Sequence, residues 1–318
     1  MQFSFTNEID RSMVKGLLKR HGVSKRLLSN IKFDGGQILV NGSEQNAIFR
    51  LAVGDIVTIV VPDEPDNEFL LPENLPLEIV FEDDHYLVVN KPAGMPSITG
   101  AVHPNGAMSN AVKGYITRQA YANQAVHIIT RLDRDTSGLM FFAKHRYAHA
   151  LMNMGSKYRE SLQKRYFAIV DAKQVLSELT EFEKEAVSEN LRQAGQPLPA
   201  NGQIDLRIGR FDGSIIQRQV RFDEGSKSAS TSFVRIDEQN DYALLDIELH
   251  TGRTHQIRVH FSHLGFPLIG DDLYGGNHEV MSRQALHCHH LQFLHPFTDK
   301  MVDIELDMPE DMKQLLKK

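Results

Sequence analysis

Cysteine and tryptophan are nearly absent from the sequence, which has one cysteine and no tryptophan in 318 residues. The single cysteine, Cys288, cannot form a disulfide within the chain, and a metal site with two thiolates from this chain is excluded. No segment approaches the roughly 18 uninterrupted apolar residues that a membrane helix needs. The start, MQFSFTNEID, lacks a basic segment followed by an apolar run, so we expect no secretory signal and predict a reducing, cytoplasmic location.

A strong excess of one charge is also missing. The formal net charge is −6, and this value by itself argues weakly against a nucleic-acid partner. Hydrophobic residues make up 41% and charged residues 24%, which are ordinary globular values and exclude wholesale disorder. A length of 318 residues predicts one large domain or two unequal domains.

The distribution of charge along the chain qualifies the argument from net charge. Residues 1–62 hold 8 Lys or Arg and 5 Asp or Glu, whereas residues 63–90 hold 9 acids and no Lys or Arg. The remaining residues balance at 27 bases and 27 acids. Because a neutral sum can hide a basic groove, a nucleic-acid partner stays open.

Residues 1–62 are predicted to form a small first domain of two helices and a hairpin. The predicted elements are a helix around Val14, Leu17 and Leu18 that ends at His21-Gly22, a helix over 25–31 with Ser24 as N-cap, a strand over Gln37–Val40 with an Asn41-Gly42 turn, and a strand over 56–61. The segments GVSKRLLSNIKFDGGQILVNG and RLAVGDIVTIVVP resemble the S4-like RNA-binding domain. The resemblance implies that Lys25, Arg26 and Lys32 contact RNA. Taken alone, these three residues also fit a solvated helix face.

Residues 63–76 are acidic and rich in proline, which predicts a linker, and residues 77–318 form the predicted large domain. Strands are predicted at 77–81, 86–90, 204–208, 230–236 and 242–249. A charged, helix-permissive stretch at 177–194 and the following 195–199 are predicted to form an exposed insertion. Because strands dominate without regular βαβ alternation, we predict an α+β fold with a largely antiparallel sheet and flanking helices.

Three segments of the large domain carry candidate chemistry. In NKPAGMP, a rigid turn is predicted to project Lys91, although a plain turn with a solvated lysine also fits. In RLDRDTSGL, an extended backbone would place Arg131, Asp133 and Asp135 on one face. A carboxylate flanked by guanidinium groups is held ionised and suits a nucleophile or charge stabiliser. The alternative is a surface ion-pair ladder, and spacing does not choose between Asp133 and Asp135.

The third segment, TGRTHQIRVHF, predicts a turn followed by a helix with His255, Arg258 and possibly Ser262 on one face. It continues to glycine-rich turns at 270–276, which suit close approach to a phosphate backbone. The alternative is a helix N-terminus with ordinary polar capping.

Together these segments resemble the RluA-type family of RNA pseudouridine synthases over roughly residues 77–310. The matching blocks, in order, are VFEDDHYLVVNKPAGMPS, RLDRDTSGLMFFAK, KRYFAIV, TGRTHQIRVHFSHLGFPLIGDDLYGG and RQALHCHHLQFLHP. The resemblance implies that Asp133 is the catalytic carboxylate, that Tyr166 stacks on the target base and acts on a proton at C5, and that Arg258 pairs with Asp133. It also implies RNA contacts by Arg131, Lys91, Arg253 and His255, and an active-site wall at 273–276. One departure is Thr130, where the family often has His, and we expect it to affect RNA contacts or base extrusion but not the possibility of the chemistry.

The implied reaction converts uridine in RNA to its C-linked isomer, as the C1′–N1 bond breaks and C5 bonds to C1′. No cosubstrate or redox change takes part, so we expect no cofactor. The carboxylate could attack C1′, attack C6 or remove a proton from the ribose. Structured ribosomal RNA is the favoured substrate and transfer RNA the alternative, with the first domain and residues 175–200 setting the choice. We expect a monomer.

Two other function classes fit parts of the sequence. A non-catalytic RNA-binding or ribosome-assembly protein would keep the same fold. A metal hydrolase is suggested by the run His287-Cys288-His289-His290 with His295, but these residues alternate as on a strand and no HExxH or CxxC pattern is present, so we predict no metal. Cys288 is expected to be a small buried side chain. His145 and His149, four residues apart on a predicted helix, are expected to form a surface pair.

Overall fold

The computed structural model describes residues 1–64, 66–100, 104–153 and 157–317. The N-terminal part has six short strands and two helices within these residues. In chain order they are β1 (Gln2–Thr6), β2 (Ser12–Met13), α1 (Val14–Arg20), α2 (Lys25–Phe33), β3 (Gln37–Val40), β4 (Ser43–Glu44), β5 (Arg50–Leu51) and β6 (Ile56–Val60). None of the helices in the described part of the chain is long and apolar enough to cross a membrane.

The local sequence signals of this part are confirmed. The Ser24 hydroxyl accepts a hydrogen bond from the Leu27 amide at 3.1 Å and caps α2, which runs two residues further than predicted, to Phe33. Asn41 and Gly42 both have positive φ, at 49° and 83°, as a tight hairpin turn requires. Strands β1, β6, β3 and β4 form one sheet in that order. The apolar faces of both helices pack on it.

The large part contains most of the secondary structure. In chain order its elements are β7 (Glu78–Glu82), β8 (Tyr86–Lys91), α3 (Met108–Arg118), β9 (His127–Ile128), β10 (Ser137–Ala143), α4 (Arg146–Asn153), α5 (Lys157–Glu160), β11 (Gln163–Asp171), α6 (Glu181–Glu185), β12 (Asn201–Ile204), β13 (Ile208–Arg210), β14 (Arg218–Val220), β15 (Thr231–Gln239), β16 (Tyr242–Leu249), α7 (Gln256–His263), β17 (Leu286–Leu294), β18 (Met301–Glu305) and α8 (Glu310–Lys317). Two short 3₁₀ helices lie at Glu189–Leu191 and Asp272–Tyr274.

A ten-stranded sheet organises this part, with the order β12-β15-β16-β11-β17-β10-β8-β7 and with β18 and β9 on β17 and β10. The β10–β17 pair is parallel, whereas the other described pairs of this sheet are antiparallel. The predicted α+β fold with a largely antiparallel sheet is therefore confirmed. Both faces are covered: alternate residues of β8 pack towards the main core or towards α3. This explains why the strand sequence YLVV is apolar at every position.

Laterally paired residues on four neighbouring strands, β8, β10, β17 and β11, determine where the candidate site lies in the sheet. Gly138 of β10 pairs with Lys91 of β8 and with Cys288 of β17, and Cys288 pairs with Tyr166 of β11. A β-carbon at Gly138 would lie 2.2 Å from the Cys288 carbonyl oxygen, and φ there is +110°. Only glycine permits this close approach. The segment just before Gly138, which contains Asp133, is thereby brought to these paired residues, which include Tyr166.

The predictions for residues 177–208 are wrong in part. The expected exposed helical insertion is mostly irregular, with α6 and one 3₁₀ turn, and Leu179, Leu191 and Leu198 are buried in the main core. The strand expected over 204–208 is interrupted, because β12 ends at Ile204 and β13 begins at Ile208. These three leucines anchor an irregular segment in the core, and the charged, helix-permissive composition of the stretch does not reveal such tertiary contacts.

Residues 66–76 connect the two parts without helix or strand, and they are bound along α3. The buried Lys113 ammonium pairs with Asp66, and the Glu73 amide donates to the Asn110 carbonyl at 3.1 Å. A β-carbon on Gly114 would lie 1.9 Å from the Glu73 carbonyl oxygen. Several acids of the acidic stretch are therefore used in internal pairs, and the segment is held in place.

Candidate active site

The carboxylate of Asp133 lies in the irregular segment before β10 and is held by a guanidinium. Arg258 of α7 donates from Nη1 to Asp133 Oδ2 at 3.2 Å. Asp271 accepts two further hydrogen bonds from Arg258, with Nε to Oδ2 at 2.7 Å and Nη2 to Oδ1 at 2.8 Å. Asp133 is 27% exposed, whereas Asp271 is fully buried. The buried Asp271 therefore fixes the orientation of the Arg258 guanidinium. Arg258 in turn donates a hydrogen bond to Asp133, which is partly exposed to solvent.

The charges of this triad are mutually stabilised. Burial acts to lower the pKa of Arg258, but the hydrogen bonds and charges of Asp271 and Asp133 raise it above its ordinary value. The charged, planar guanidinium of Arg258 forms two parallel hydrogen bonds with the Asp271 carboxylate, and this pairing holds the arginine in one orientation. Asp271 is not among the residues predicted from the sequence to form the site. Its only local signal is an acid in the glycine-rich GDD turn.

His255 approaches the same carboxylate from the start of α7. It lies at the N-cap with φ of +58°, outside the helix, so the predicted sharing of one helical face with Arg258 is wrong. Its Nε2 is 3.8 Å from Asp133 Oδ2, and its Nδ1 is 2.9 Å from the Tyr274 hydroxyl. Burial lowers the pKa of His255, and nearby Arg258 adds to this, while Asp133 opposes it. His255 is therefore neutral at neutral pH.

The hydroxyl of Tyr274 joins His255 to the start of β14. It accepts the Arg218 amide at 2.9 Å and is hydrogen-bonded to His255 Nδ1 at 2.9 Å. The other imidazole nitrogen, Nε2, faces Asp133. The Tyr274 ring also lies 5.0 Å from the Arg258 guanidinium carbon. Tyr274 thus contributes to the wall of this site.

Tyr166 lies on β11 beside Cys288 and faces the main core. Burial raises the pKa of the Tyr166 phenol well above 10, and Cys288 and the charge of Asp133 act in the same direction. The phenol therefore keeps its proton at neutral pH. The Lys164 ammonium lies 5.9 Å from the centre of the Tyr166 ring. Only 4% of Tyr166 is exposed, so its ring is covered by the surrounding side chains in this structure.

Lys91 is not at the surface, so the prediction that it projects from the turn towards RNA is wrong. It is fully buried, and its ammonium donates to three backbone carbonyls: Pro92 at 2.8 Å, Met95 at 2.7 Å and Arg134 at 2.9 Å. Three acceptors match the three N–H groups of an ammonium. Burial lowers the pKa of Lys91 to about 7. The side chain ties the NKPAGMP turn to the segment that carries Asp133.

The second aspartate of the RLDRD segment is placed differently from the first. The backbone turns at Arg134 and Asp135, so the extended arrangement expected for Arg131, Asp133 and Asp135 is wrong. Asp135 instead pairs with the neighbouring Arg134 at 2.9 Å. Arg131 is exposed beside Asp133 in the chain. The structure therefore separates two carboxylates that the sequence left equivalent.

The other predicted RNA contacts lie at the surface. Arg253 is partly exposed and donates from Nε to the Ser228 carbonyl at 2.8 Å. Lys25, Arg26 and Lys32 are exposed on α2 of the N-terminal part. Lys32 lies 4.7 Å from the ring centre of Phe33, which is itself exposed. These residues are accessible to RNA but distant in the chain from Asp133.

The histidine run is built into β17 and its surroundings. His287 is hydrogen-bonded to Ser137 at 2.8 Å, His289 to Asp246 at 3.2 Å, and His295 to Asp83 at 2.7 Å. In the described residues no three His, Cys, Asp or Glu side chains are placed to hold a metal ion. Cys288 is buried, which confirms that prediction, and burial raises the pKa of its thiol to about 11.

Thr130, the departure from the family pattern, has a structural contact. Its hydroxyl accepts the Phe141 amide at 3.0 Å, and the side chain is buried. The hydroxyl therefore holds the start of the Asp133 segment against β10.

Comparison with known proteins adds an independent line of observation. Residues 85–263 match the family model described as RNA pseudouridylate synthase. An uncharacterized RNA pseudouridine synthase of Bacillus subtilis, YjbO, is 39% identical over 93% of this chain and 95% of its own length. The ribosomal large subunit pseudouridine synthase D of Zymomonas mobilis is 35% identical over 82% of this chain and 77% of its own length.

Solved structures show the same fold. The human RNA pseudouridylate synthase domain containing 1 covers 80% of this chain and 96% of its own, with a TM-score of 0.53 and 19% identity. The human RNA pseudouridylate synthase domain containing 4 covers 76% of this chain and 92% of its own, with a TM-score of 0.54 and 20% identity.

Proposed function

Because the chain belongs to the RNA pseudouridine synthase family, we propose that it isomerises uridines of structured ribosomal RNA and that the Asp133 carboxylate acts on the target nucleoside. The observation that carries this proposal is the Asp133–Arg258–Asp271 arrangement. It supplies a partly exposed carboxylate, Asp133, whose Oδ2 is held in position by the buried guanidinium of Arg258. Such an anion is what a nucleophile or a base at the ribose requires.

The isomerisation needs no group from outside the nucleoside. The C1′–N1 bond breaks, the detached uracil turns, and a C5–C1′ bond forms while the C5 proton leaves and N1 gains a proton. Asp133 attacks C1′, attacks C6 or takes a proton from the ribose, and each route starts from the same oxygen. Because atoms and charge balance within the substrate, we predict that no cofactor or metal takes part. We also predict that the enzyme works as a monomer.

Tyr166 is proposed to hold the extruded uracil by stacking. The raised pKa of its phenol argues against the implied action on the C5 proton, since a phenol that keeps its proton is a poor base. Stacking of a base on an aromatic side chain contributes about 1–3 kcal/mol, which offsets part of the few kcal/mol that extrusion of the base costs. Arg258 is proposed to keep Asp133 charged and oriented.

Ribosomal RNA is favoured over transfer RNA by the names of two relatives, both ribosomal large subunit pseudouridine synthase D. We propose three functional units: an S4-like RNA-binding domain at 1–62, a connecting segment at 63–76 and a catalytic domain at 77–318. The exposed Lys25, Arg26 and Lys32 would bind phosphates and position the RNA. Arg131, Arg253 and His255 are proposed to contact RNA closer to Asp133. The cytoplasmic location stays a prediction.

Mapping of modified uridines tests the substrate and the activity together. Ribosomal and transfer RNA are isolated from cells that lack the gene, from cells that carry it, and from cells that carry the Asp133→Asn variant. Carbodiimide-treated RNA is then analysed for reverse-transcription stops. We expect at least one stop in ribosomal RNA that requires the wild-type chain. Stops restricted to transfer RNA would refute the substrate, and stops restored by Asp133→Asn would refute the role of Asp133.

A further inference from the structure

The tip of the β13–β14 hairpin presents two neighbouring isoleucines to solvent. Ile215 is 91% exposed and Ile216 is 60% exposed. Neither belongs to any of the five apolar clusters formed by the described residues. One exposed aliphatic side chain is ordinary in a folded protein, but two side by side on a projecting tip form a contact surface.

The tip is ordered by its own polar groups. Arg218 donates from Nη1 to the carbonyls of Ile215, Ile216 and Gln217, at 3.2, 2.9 and 2.9 Å. The Ser214 hydroxyl accepts the amides of Ile216 and Gln217, both at 3.2 Å. The Arg218 side chain thus shapes the backbone of the tip. The isoleucines are presented in a fixed conformation, which reduces the entropy lost on binding.

The base of the hairpin is attached to the wall of the active site. The Gln217 amide side chain donates to the Leu273 carbonyl at 3.1 Å, and the Arg218 amide donates to the Tyr274 hydroxyl at 2.9 Å. Tyr274 in turn contacts His255, whose Nε2 is 3.8 Å from Asp133. Ile215 is three residues from Arg218, so its backbone lies within about 11 Å of this contact.

The charges around the tip favour a polyanion. Arg210 at the end of β13 and Lys227, which is bridged to Ile208, are exposed. The nearby acids Asp212 and Asp223 are both paired with Arg221. Exposed cations near the base of a hairpin with an apolar tip match nucleic acid, whose bases are apolar on their faces and whose backbone is anionic, although the exposed Glu224 lies in the same segment.

We propose that Ile215 and Ile216 pack between the bases next to the target uridine and keep that base step unstacked while the uridine occupies the site. The proposal rests on the RNA pseudouridine synthase activity and adds a substrate-contacting element to it. Aliphatic side chains hold base steps apart in this way in other nucleic-acid complexes. The hairpin would thereby lower the free energy of extrusion without touching the reacting atoms.

The test uses two RNAs that carry the mapped uridine. One is a stem-loop with 2-aminopurine as the 3′ neighbour of the uridine, and the other is a seven-nucleotide single strand with the same neighbours. Ile215→Ser/Ile216→Ser removes the apolar tip, and Ile215→Phe/Ile216→Phe restores an apolar surface. Ile236→Ser, at an exposed isoleucine of β15, is the matched control. Tritium release from 5-tritiated uridine and 2-aminopurine fluorescence are measured for each.

We expect the serine pair to lower kcat/KM on the stem-loop by about tenfold or more, the order expected when one base step is no longer held apart. It should also abolish the rise of 2-aminopurine fluorescence on binding, whereas the phenylalanine pair and Ile236→Ser keep both. On the single strand the serine pair should change kcat/KM less than about twofold.

Equal losses on both RNAs, or an unchanged fluorescence signal, would overturn the proposal. So would a wild-type dimer that the serine pair converts to a monomer without any effect on RNA, because the tip would then be a contact between two copies. If the wild-type chain releases no tritium from either RNA, the proposed function itself fails, and this outcome is distinct from all the others.

Discussion

Two buried polar clusters of this chain are built on opposite principles. Around Asp133 the buried groups are charged, and each charge has fixed partners: Arg258 lies between two carboxylates, and Lys91 donates to three carbonyls. At the contact between the N-terminal part and α4, the buried groups include neutral histidines. His145 Nε2 lies 3.0 Å from His85 Nδ1, and the Phe3 ring of β1 packs 5.6 Å from the His145 ring.

The difference concerns how each cluster responds to pH. Around Asp133, Arg258 keeps its charge, because the hydrogen bonds and charges of Asp271 and Asp133 raise its pKa above its ordinary value. Lys91, whose pKa burial lowers to about 7, is charged in moderate acid. The histidine cluster must stay neutral, because burial, followed by His85, lowers the pKa of His145 to about 3. Moderate acid therefore leaves the charges of Arg258 and Lys91 in place, whereas it opposes the neutral state of His145 at the contact between the two parts.

The largest expected effect is a loss of kcat that distinguishes Asp133 from Asp135, the two aspartates of the RLDRD segment. Asp133→Asn keeps the shape of the side chain but removes the charge that Arg258 holds, so we expect kcat to fall at least about 10,000-fold, the scale seen when an essential catalytic group is lost. Tritium release in single-turnover assays measures this. Asp135→Asn is the matched control, since Asp135 pairs with the exposed Arg134, and it should stay within about threefold of wild type. Similar losses in both variants would contradict the assignment.

The next effect tests whether the geometry of the buried arginine matters beyond its charge. Arg258→Lys keeps a cation but cannot bridge Asp133 and Asp271 with its planar fork. We expect kcat to fall about 100-fold, as for a catalytic group displaced by about 1 Å, with little change in KM. Steady-state kinetics measure both constants. A rise in KM with unchanged kcat would instead make Arg258 a residue for RNA binding.

A smaller effect concerns the fully buried ammonium of Lys91. Lys91→Met keeps the length of the side chain but leaves three carbonyls without their donor, so the free energy of unfolding should fall by about 2–4 kcal/mol. Urea unfolding followed by circular dichroism measures this change. Lys300→Met, at an exposed lysine, is the control and should lower the free energy of unfolding by less than about 1 kcal/mol. Equal stability losses would contradict the role of the three carbonyls.

These two clusters also mark the limit of what could be predicted from the sequence. The α+β fold, the Ser24 cap and the Asn41-Gly42 turn follow from local patterns, and the structure confirms them. The pairing of Arg258 with Asp133 was implied by family resemblance, because spacing alone left Asp135 equally suitable. The structure has the Arg258–Asp133 contact, and its function stays a prediction.

The burial of Lys91, Asp271 and His145 was missed for one shared physical reason. Each side chain is covered by groups from distant parts of the chain: the Arg134 carbonyl lies 43 residues from Lys91, and His85 lies 60 residues from His145. A polar residue next to a strand or on a helix is exposed by default, and only the fold decides otherwise. His145 and His149, expected as a surface pair, illustrate this, since His145 is buried.

The smallest expected effect tests the pH response of the histidine cluster. His145 accepts the Ala148 amide at Nδ1 at 3.2 Å, so its proton lies on Nε2 and points to His85. The groups that act on its pKa besides His85 are Glu64, which raises it, and His127 and the N-terminal amine, which lower it. Because the folded state holds the neutral form and the unfolded state binds a proton below its ordinary pKa of 6.5, stability is complete above pH 6.5 and falls as the pH drops.

Between pH 7.5 and 5.0 this single group should lower the free energy of unfolding by about 2 kcal/mol. His145→Gln, whose amide can donate to His85 and accept from Ala148, should reduce that loss, because glutamine does not titrate. Urea unfolding at pH 7.5, 6.0 and 5.0 measures the slope. His278→Gln, at an exposed histidine, should leave the slope unchanged. If both variants keep the wild-type change of unfolding free energy with pH, the acid sensitivity arises elsewhere in the chain. The histidine cluster would then not be the acid-sensitive part of the molecule.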